Sequence, residues 1–110
     1  MALTKSYHDA VIDRARRDPA FRAALLEEAA QNLLDGELEI ARSQLRKCAH
    51  ALATFDVLAA TTNIPKPSLM RMLGPSGNPR AENLLAILRA LQSHAGVALQ
   101  VSSRQLEPAA

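Results

Sequence analysis

Apolar residues recur at helical spacing along nearly the whole chain. Tyr7, Ala10, Val11 and Ala15 share one helical face, and Ser6 followed by Asp9 offers a local N-terminal cap. Asp18-Pro19 marks a second start, a capping acid followed by the imino acid that suits the first helical turn. Behind it Phe21, Leu25, Ala29 and Leu33 step by four, and Gly36 ends the helix where the chain must turn left-handed. A third helix follows from about Glu37, with Leu38, Ala41, Leu45, Cys48 and Leu52 forming one narrow apolar seam. Arg42, Arg46 and Lys47 lie off that seam. Plain solvation is the expectation for them, with extension of a DNA or partner surface as the alternative.

The pattern breaks most sharply between Thr54 and Gly96. Thr54 suits an N-cap, with Phe55, Leu58 and Ala59 turned inward. Asn63-Ile64-Pro65-Lys66-Pro67 is a tight break, because each proline disfavours helical geometry in the residue before it. Pro67 then suits the first position of a short helix, which ends at Gly74-Pro75. The loop Gly74-Pro75-Ser76-Gly77-Asn78 is made of turn formers, and Asn78-Pro79 repeats the cap-plus-proline start. Leu84, Ile87, Leu88 and Leu91 make the last helix amphipathic, and Gly96 ends it. Val97, Leu99 and Val101 alternate with Ala98 and Gln100, which predicts one short strand over residues 97–101. A lone strand needs a partner for its backbone groups, so it pairs with a second copy in a two-fold homodimer, or rests against a loop. Residues 102–110 read as a flexible tail.

Two short helices joined by a turn of about three or four residues make a helix-turn-helix. The stereochemistry of that unit is met between Phe55 and Gly74. Leu58 faces the core, Ala59 is small where the second helix crosses, and Asn63 occupies a left-handed position. Ile64 plugs the turn, and Leu69 and Met72 anchor the second helix from beneath. Lys66, Ser68, Met70 and Arg71 are left on its outer face. Arginine on guanine is the commonest specific contact in the major groove. The plainer reading is a tight helical hairpin in an all-α core.

Composition narrows the function classes. The 110 residues are 48% hydrophobic and 22% charged, as in an ordinary globular domain rather than a disordered or collagen-like chain. The expectation is a single all-α domain over residues 1–110, with about six helices and one C-terminal strand. Residues 1–53 form N-terminal helices and residues 54–95 the helix-turn-helix core. Absence of tryptophan, with one tyrosine and two phenylalanines, argues against a base-stacking RNA platform. A single cysteine, Cys48, and no apolar run of membrane or signal length suggest a cytoplasmic protein. The net charge of +2 is unevenly placed. Residues 57–105 hold Lys66, Arg71, Arg80, Arg89 and Arg104 against Glu82 alone, a modest pointer to an anionic partner. His8, His50, His94 and Cys48 lack metal-ligand spacing, and no phosphate-cradling loop or nucleophile motif is present. No metal, no cofactor and no enzymatic activity are therefore expected.

The run Phe55-Asp56-Val57-Leu58-Ala59, then Ile64-Pro65, then Ser68-Leu69-Met70-Arg71-Met72-Leu73-Gly74-Pro75-Ser76-Gly77-Asn78-Pro79, then Asn83-Leu84 onward, resembles the HigA-like addiction-module antidotes. Met1 to Ser6 and Asp18-Pro19-Ala20-Phe21-Arg22 are similar to the same group. The resemblance implies a lambda-repressor-like DNA-binding domain. It also implies an antitoxin of a type II toxin-antitoxin pair, which represses its own operon and neutralises a RelE/ParE-like toxin. By the same resemblance Lys66, Ser68 and Arg71 contact operator DNA, and Ser76, Asn78 and Arg80 contact phosphate. Asn63 stands where the family usually has glycine, and Pro67 removes one base-reading side chain. The helix starting at Asn78-Pro79 would also aim backbone N–H groups at a phosphate. A homodimer neutralising ~4–6 phosphates gives a salt slope of roughly −4 to −5. Glu27, Glu28, Glu37 and Glu39 form either a solvated acidic face or a patch for a basic toxin. A stand-alone repressor and a helical interaction module without DNA binding are the alternatives. An exposed Arg71 favours DNA binding, and an Arg71 buried in an ion pair favours the module.

Overall fold

The computed structural model describes residues 6–108, and the expectations for residues 1–5 and for Ala109 and Ala110 lie outside them. Several helices begin or end on a residue suited to that job. The Ser6 hydroxyl accepts a bond from the Asp9 N–H at 3.1 Å and starts α1 (Tyr7–Arg17). Asp18 acts twice, since its N–H closes α1 on the Arg14 carbonyl and its carboxylate accepts from Ala20 and Phe21 at the start of α2 (Pro19–Leu34). At Gly36, φ is 81°, and the Glu37 N–H reaches back to the Asn32 carbonyl at 2.8 Å. This closes the open carbonyls of α2 by the six-to-one bond of a Schellman motif. α3 (Leu38–Leu52) follows, and Thr54 caps α4 (Phe55–Thr62) through the Val57 N–H.

Asn63 carries the chain out of α4 at φ 60° and ψ 29°, the left-handed conformation assigned to it above. Ile64 and Pro65 complete the connection to α5 (Lys66–Met72). α5 starts one residue before the expected Pro67. Neither of the first two positions of a helix has an intrahelical acceptor for its N–H, so proline is accommodated at the second as well.

α6 (Ala81–Ala95) corrects another expected boundary. Asn78-Pro79 does not cap it, because Asn78, Pro79 and Arg80 span from the preceding loop to the helix in non-helical backbone. Arg80 is extended, and its carbonyl accepts the first bonds, from Asn83 and Leu84. The phosphate-directed helix start expected at Asn78 is therefore absent.

Leu26, Leu45, Leu58, Leu69, Leu73, Ile87 and Leu91 are fully buried around Cys48, in a core drawn from α2 to α6. Truncating such a leucine to alanine costs roughly 2–5 kcal/mol. α1 joins through a smaller cluster of Ile12, Ala15 and Ala51, against which Phe21 and Leu25 pack. α5 rests on α4, α4 on α6, and α6 on both α2 and α3. Burial pushes the Cys48 thiol up to about 12, as befits a packing residue.

The described residues form six helices and no strand, so the short strand expected over residues 97–101 does not form. Its alternation is nevertheless meaningful, because Val97 and Leu99 pack on the core while Ala98, Gln100 and Val101 are exposed. A ladder needs a neighbouring strand, and here Gln92 substitutes for one. Its backbone carbonyl accepts from the Val97 N–H at 3.1 Å, and its side-chain oxygen accepts from Leu99 at 2.8 Å. Residues 102–108 are exposed and irregular. No helix among the described residues is long and apolar enough to cross a membrane.

Candidate nucleic-acid interface

The seven-residue α5 stands on its inner face and shows its outer one. Leu69 is fully buried and Met72 packs against the core, whereas Lys66, Met70 and Arg71 are exposed. Leu73 buries the end of the helix, so the chain turns outward at Gly74 and presents the Gly74–Asn78 loop beside α5.

The sequence-predicted residues divide into three groups. Arg71, Ser76 and Asn78 line one cleft of about 580 Å³, together with Arg46 of α3 and the backbone of Gly74 and Gly77. Lys66 and Ser68 lie on the same short helix but outside that cleft. Lys66 Nζ stands 3.2 Å from the Asp56 carboxylate of α4, and the Ser68 hydroxyl accepts a bond from Arg71 Nη2 at 3.3 Å. Arg80 is exposed just before α6 and does not line the cleft.

Arg71 makes no ion pair with any described carboxylate. It is an exposed cation, hydrogen-bonded only to a neighbouring hydroxyl among the described residues. Such a guanidinium has donors to spare for an anion or a base edge.

Arg42 is the residue that sequence reasoning misjudged. It does not merely face solvent, since its guanidinium forks onto the loop, donating to the Pro75 carbonyl at 2.8 Å and to the Gly77 carbonyl. α3 thereby fixes the position of Ser76, which lies between the two acceptors. The available signal was chemical, because a loop of Gly, Pro and Ser leaves carbonyls in need of donors. Gly77 has its own reason to be glycine, as a Cβ there would overlap the Met72 carbonyl. Lys47, by contrast, leans over the Tyr7 ring at 5.4 Å.

Positive charge also extends along α3. His50 is held below its ordinary pKa by burial first, then by His8, Arg46 and Arg16. Among the described residues no group of His, Cys, Asp and Glu is arranged to hold a metal ion.

The arrangement is a short exposed helix and a clamped loop, carrying cations and hydroxyl or amide groups on one side of a helical core. No protein-family model, curated protein or solved structure matches the chain.

Proposed function

We propose that the protein is a DNA-binding transcriptional regulator in which α4, the turn at Asn63–Pro65 and α5 act as a helix-turn-helix. α5 enters the major groove and Arg71 reads a base edge, while Lys66, Ser76, Asn78 and Arg80 engage phosphates. The observation that carries this reading is Arg71, exposed on α5 without a carboxylate partner and beside the clamped loop. A helical interaction module without DNA binding would more naturally have paired or buried that charge.

One copy offers few phosphate contacts, so the regulator acts as a homodimer on a palindrome with half-sites about 34 Å apart. Leu34, Leu85 and Val101 are exposed around a hollow of about 640 Å³ between α2, α6 and the C-terminal segment. They give such a dimer apolar surface to bury.

The resemblance of the Leu69–Pro79 run to HigA-like antidotes supports a more specific role. In that role the protein is the antitoxin of a type II pair, silencing a RelE/ParE-like toxin and repressing the operon that encodes both. A mobility-shift assay on the duplex upstream of its gene tests the regulator. Selective retardation of that duplex over a scrambled one is expected, and equal retardation of both contradicts operator recognition. Co-expression with the product of the adjacent gene tests the antitoxin role, with co-purification as the expected result.

A further inference from the structure

Arg42 and Arg46 are one helical turn apart on α3, and their surroundings differ. Arg42 is committed to the loop carbonyls. Arg46 makes no hydrogen bond or ion pair with the described residues, although it is half-buried. Its Nη1 lies 3.7 Å from the point a Gly74 Cβ would occupy, at the wall of the cleft that Arg71, Ser76 and Asn78 also line. Ser76 and Asn78 have no hydrogen-bond partner among the described residues either. No acidic side chain lines the cleft, and Glu39 lines the neighbouring hollow that Arg46 also borders.

Arg46 is half-buried as a residue, but its side-chain nitrogens keep contact with solvent, so an anion entering the cleft meets a cation with unused donors and no acidic side chain in the lining. The cleft is lined by the donors such an occupant takes: a planar fork from α3, and a hydroxyl and an amide from the loop. Its volume exceeds that of one phosphate group, and the exposed Met70 and Arg71 of α5 are among its lining residues.

We infer that this cleft seats one backbone phosphodiester of the bound duplex, with Arg46 on the α3 side and Ser76 and Asn78 on the loop side. The inference rests on the DNA-binding reading above and extends the contact surface to a helix outside the helix-turn-helix. Its contact is to phosphate, so it is indifferent to sequence and fixes how deeply α5 sits in the groove. The Arg42 clamp holds the loop-side donors at their distance from Arg46.

Fluorescence anisotropy tests this with the upstream duplex and a scrambled duplex over a salt series, for wild type, Arg46→Ala, Asn78→Asp and Arg71→Ala. Arg46→Ala is expected to weaken both duplexes alike, by roughly tenfold, and to flatten the slope of log affinity against log salt by about one. Asn78→Asp places a carboxylate in the cleft and is expected to weaken both duplexes in the same way. It sits on an exposed loop, so it still tests the cleft if Arg46→Ala melts below the assay temperature. Wild-type affinity and slope in both cleft variants, with Arg71→Ala still weakened on the upstream duplex, would overturn the inference and leave the DNA reading intact. If wild type binds neither duplex in a salt-sensitive way, the DNA reading falls and the inference falls with it.

Discussion

Lys66 and Asp56 face one another across the α4–α5 connection, with Nζ 3.2 Å from the carboxylate. The first cation of α5 is therefore partly neutralised within the chain itself. Counting charge over residues 57–105 gives a more basic face than the fold presents, because Asp56 lies one residue outside that window. Both side chains are well exposed, so the pair contributes about 0–1 kcal/mol to stability. Asp56→Asn is expected to raise affinity for any duplex by roughly two- to fivefold at low salt, with the gain shrinking as screening increases. Anisotropy at two salt concentrations measures it, and unchanged affinity at low salt would place Lys66 away from the DNA.

Arg42 is expected to matter for the loop before it matters for DNA. Its two bonds to the Pro75 and Gly77 carbonyls are charge-assisted, so Arg42→Ala is expected to cost about 2 kcal/mol in urea unfolding. Arg42→Lys is expected to recover less than half of that, because one ammonium does not reproduce the fork. Hydrogen exchange should quicken at Gly77, whose N–H is bonded to the Gly74 carbonyl at 3.0 Å. Equal stability of wild type and Arg42→Ala would show that the fork is not holding the loop.

Asn63 offers a test of the turn itself. At φ 60° a Cβ-bearing residue is strained unless its side chain is short and polar. Asn63→Ala is expected to lose roughly 1 kcal/mol, whereas Asn63→Gly should be nearly neutral or slightly stabilising. Thermal melts of the three proteins give the order, and alanine ranking above glycine would contradict the left-handed turn.

His50 predicts a pH dependence with a definite sign. Its ring packs edge-on to His8 at 5.6 Å and to Phe55 at 5.0 Å, and burial and the neighbouring cations lower its pKa below the ordinary 6.5. The neutral ring is then favoured by the fold. Its contribution is fully present above pH 6.5 and is lost as pH falls below that value toward the lowered native pKa, because the unfolded chain takes up the proton first. The melting temperature should fall between pH 7.5 and 5.5, and His50→Gln should reduce that fall. A pH profile unchanged by His50→Gln would remove this histidine as the cause.

The helices were legible because their signals are local. Ser6, Asp18 and Thr54 cap through their own side chains, and Gly36, Asn63 and Gly96 sit where the backbone is left-handed. Three features depend on tertiary partners and depart from the local sequence signal. Asn78-Pro79 has every local mark of a helix start, yet the chain uses it to span from the clamped loop to α6. The alternation in residues 97–101 reports burial of Val97 and Leu99, which one glutamine side chain and the core achieve without a ladder. Arg42 looks like a surface charge until the loop carbonyls 33 and 35 residues away are brought to it. For the candidate site, residue type and helix spacing point to Arg71 and the resemblance to Ser76 and Asn78, while folding places Arg46, for which plain solvation is the sequence expectation, beside them.

The central claim is that Arg71 on α5 reads operator DNA. The most direct measurement is anisotropy of wild type and Arg71→Ala on the duplex upstream of the gene and on a scrambled duplex at fixed salt. Wild type is expected to prefer the upstream duplex, and Arg71→Ala to lose about 1–3 kcal/mol on it while keeping its weaker binding to the scrambled one. Equal binding of both duplexes by wild type, or an Arg71→Ala protein that discriminates as well as wild type, would contradict the account.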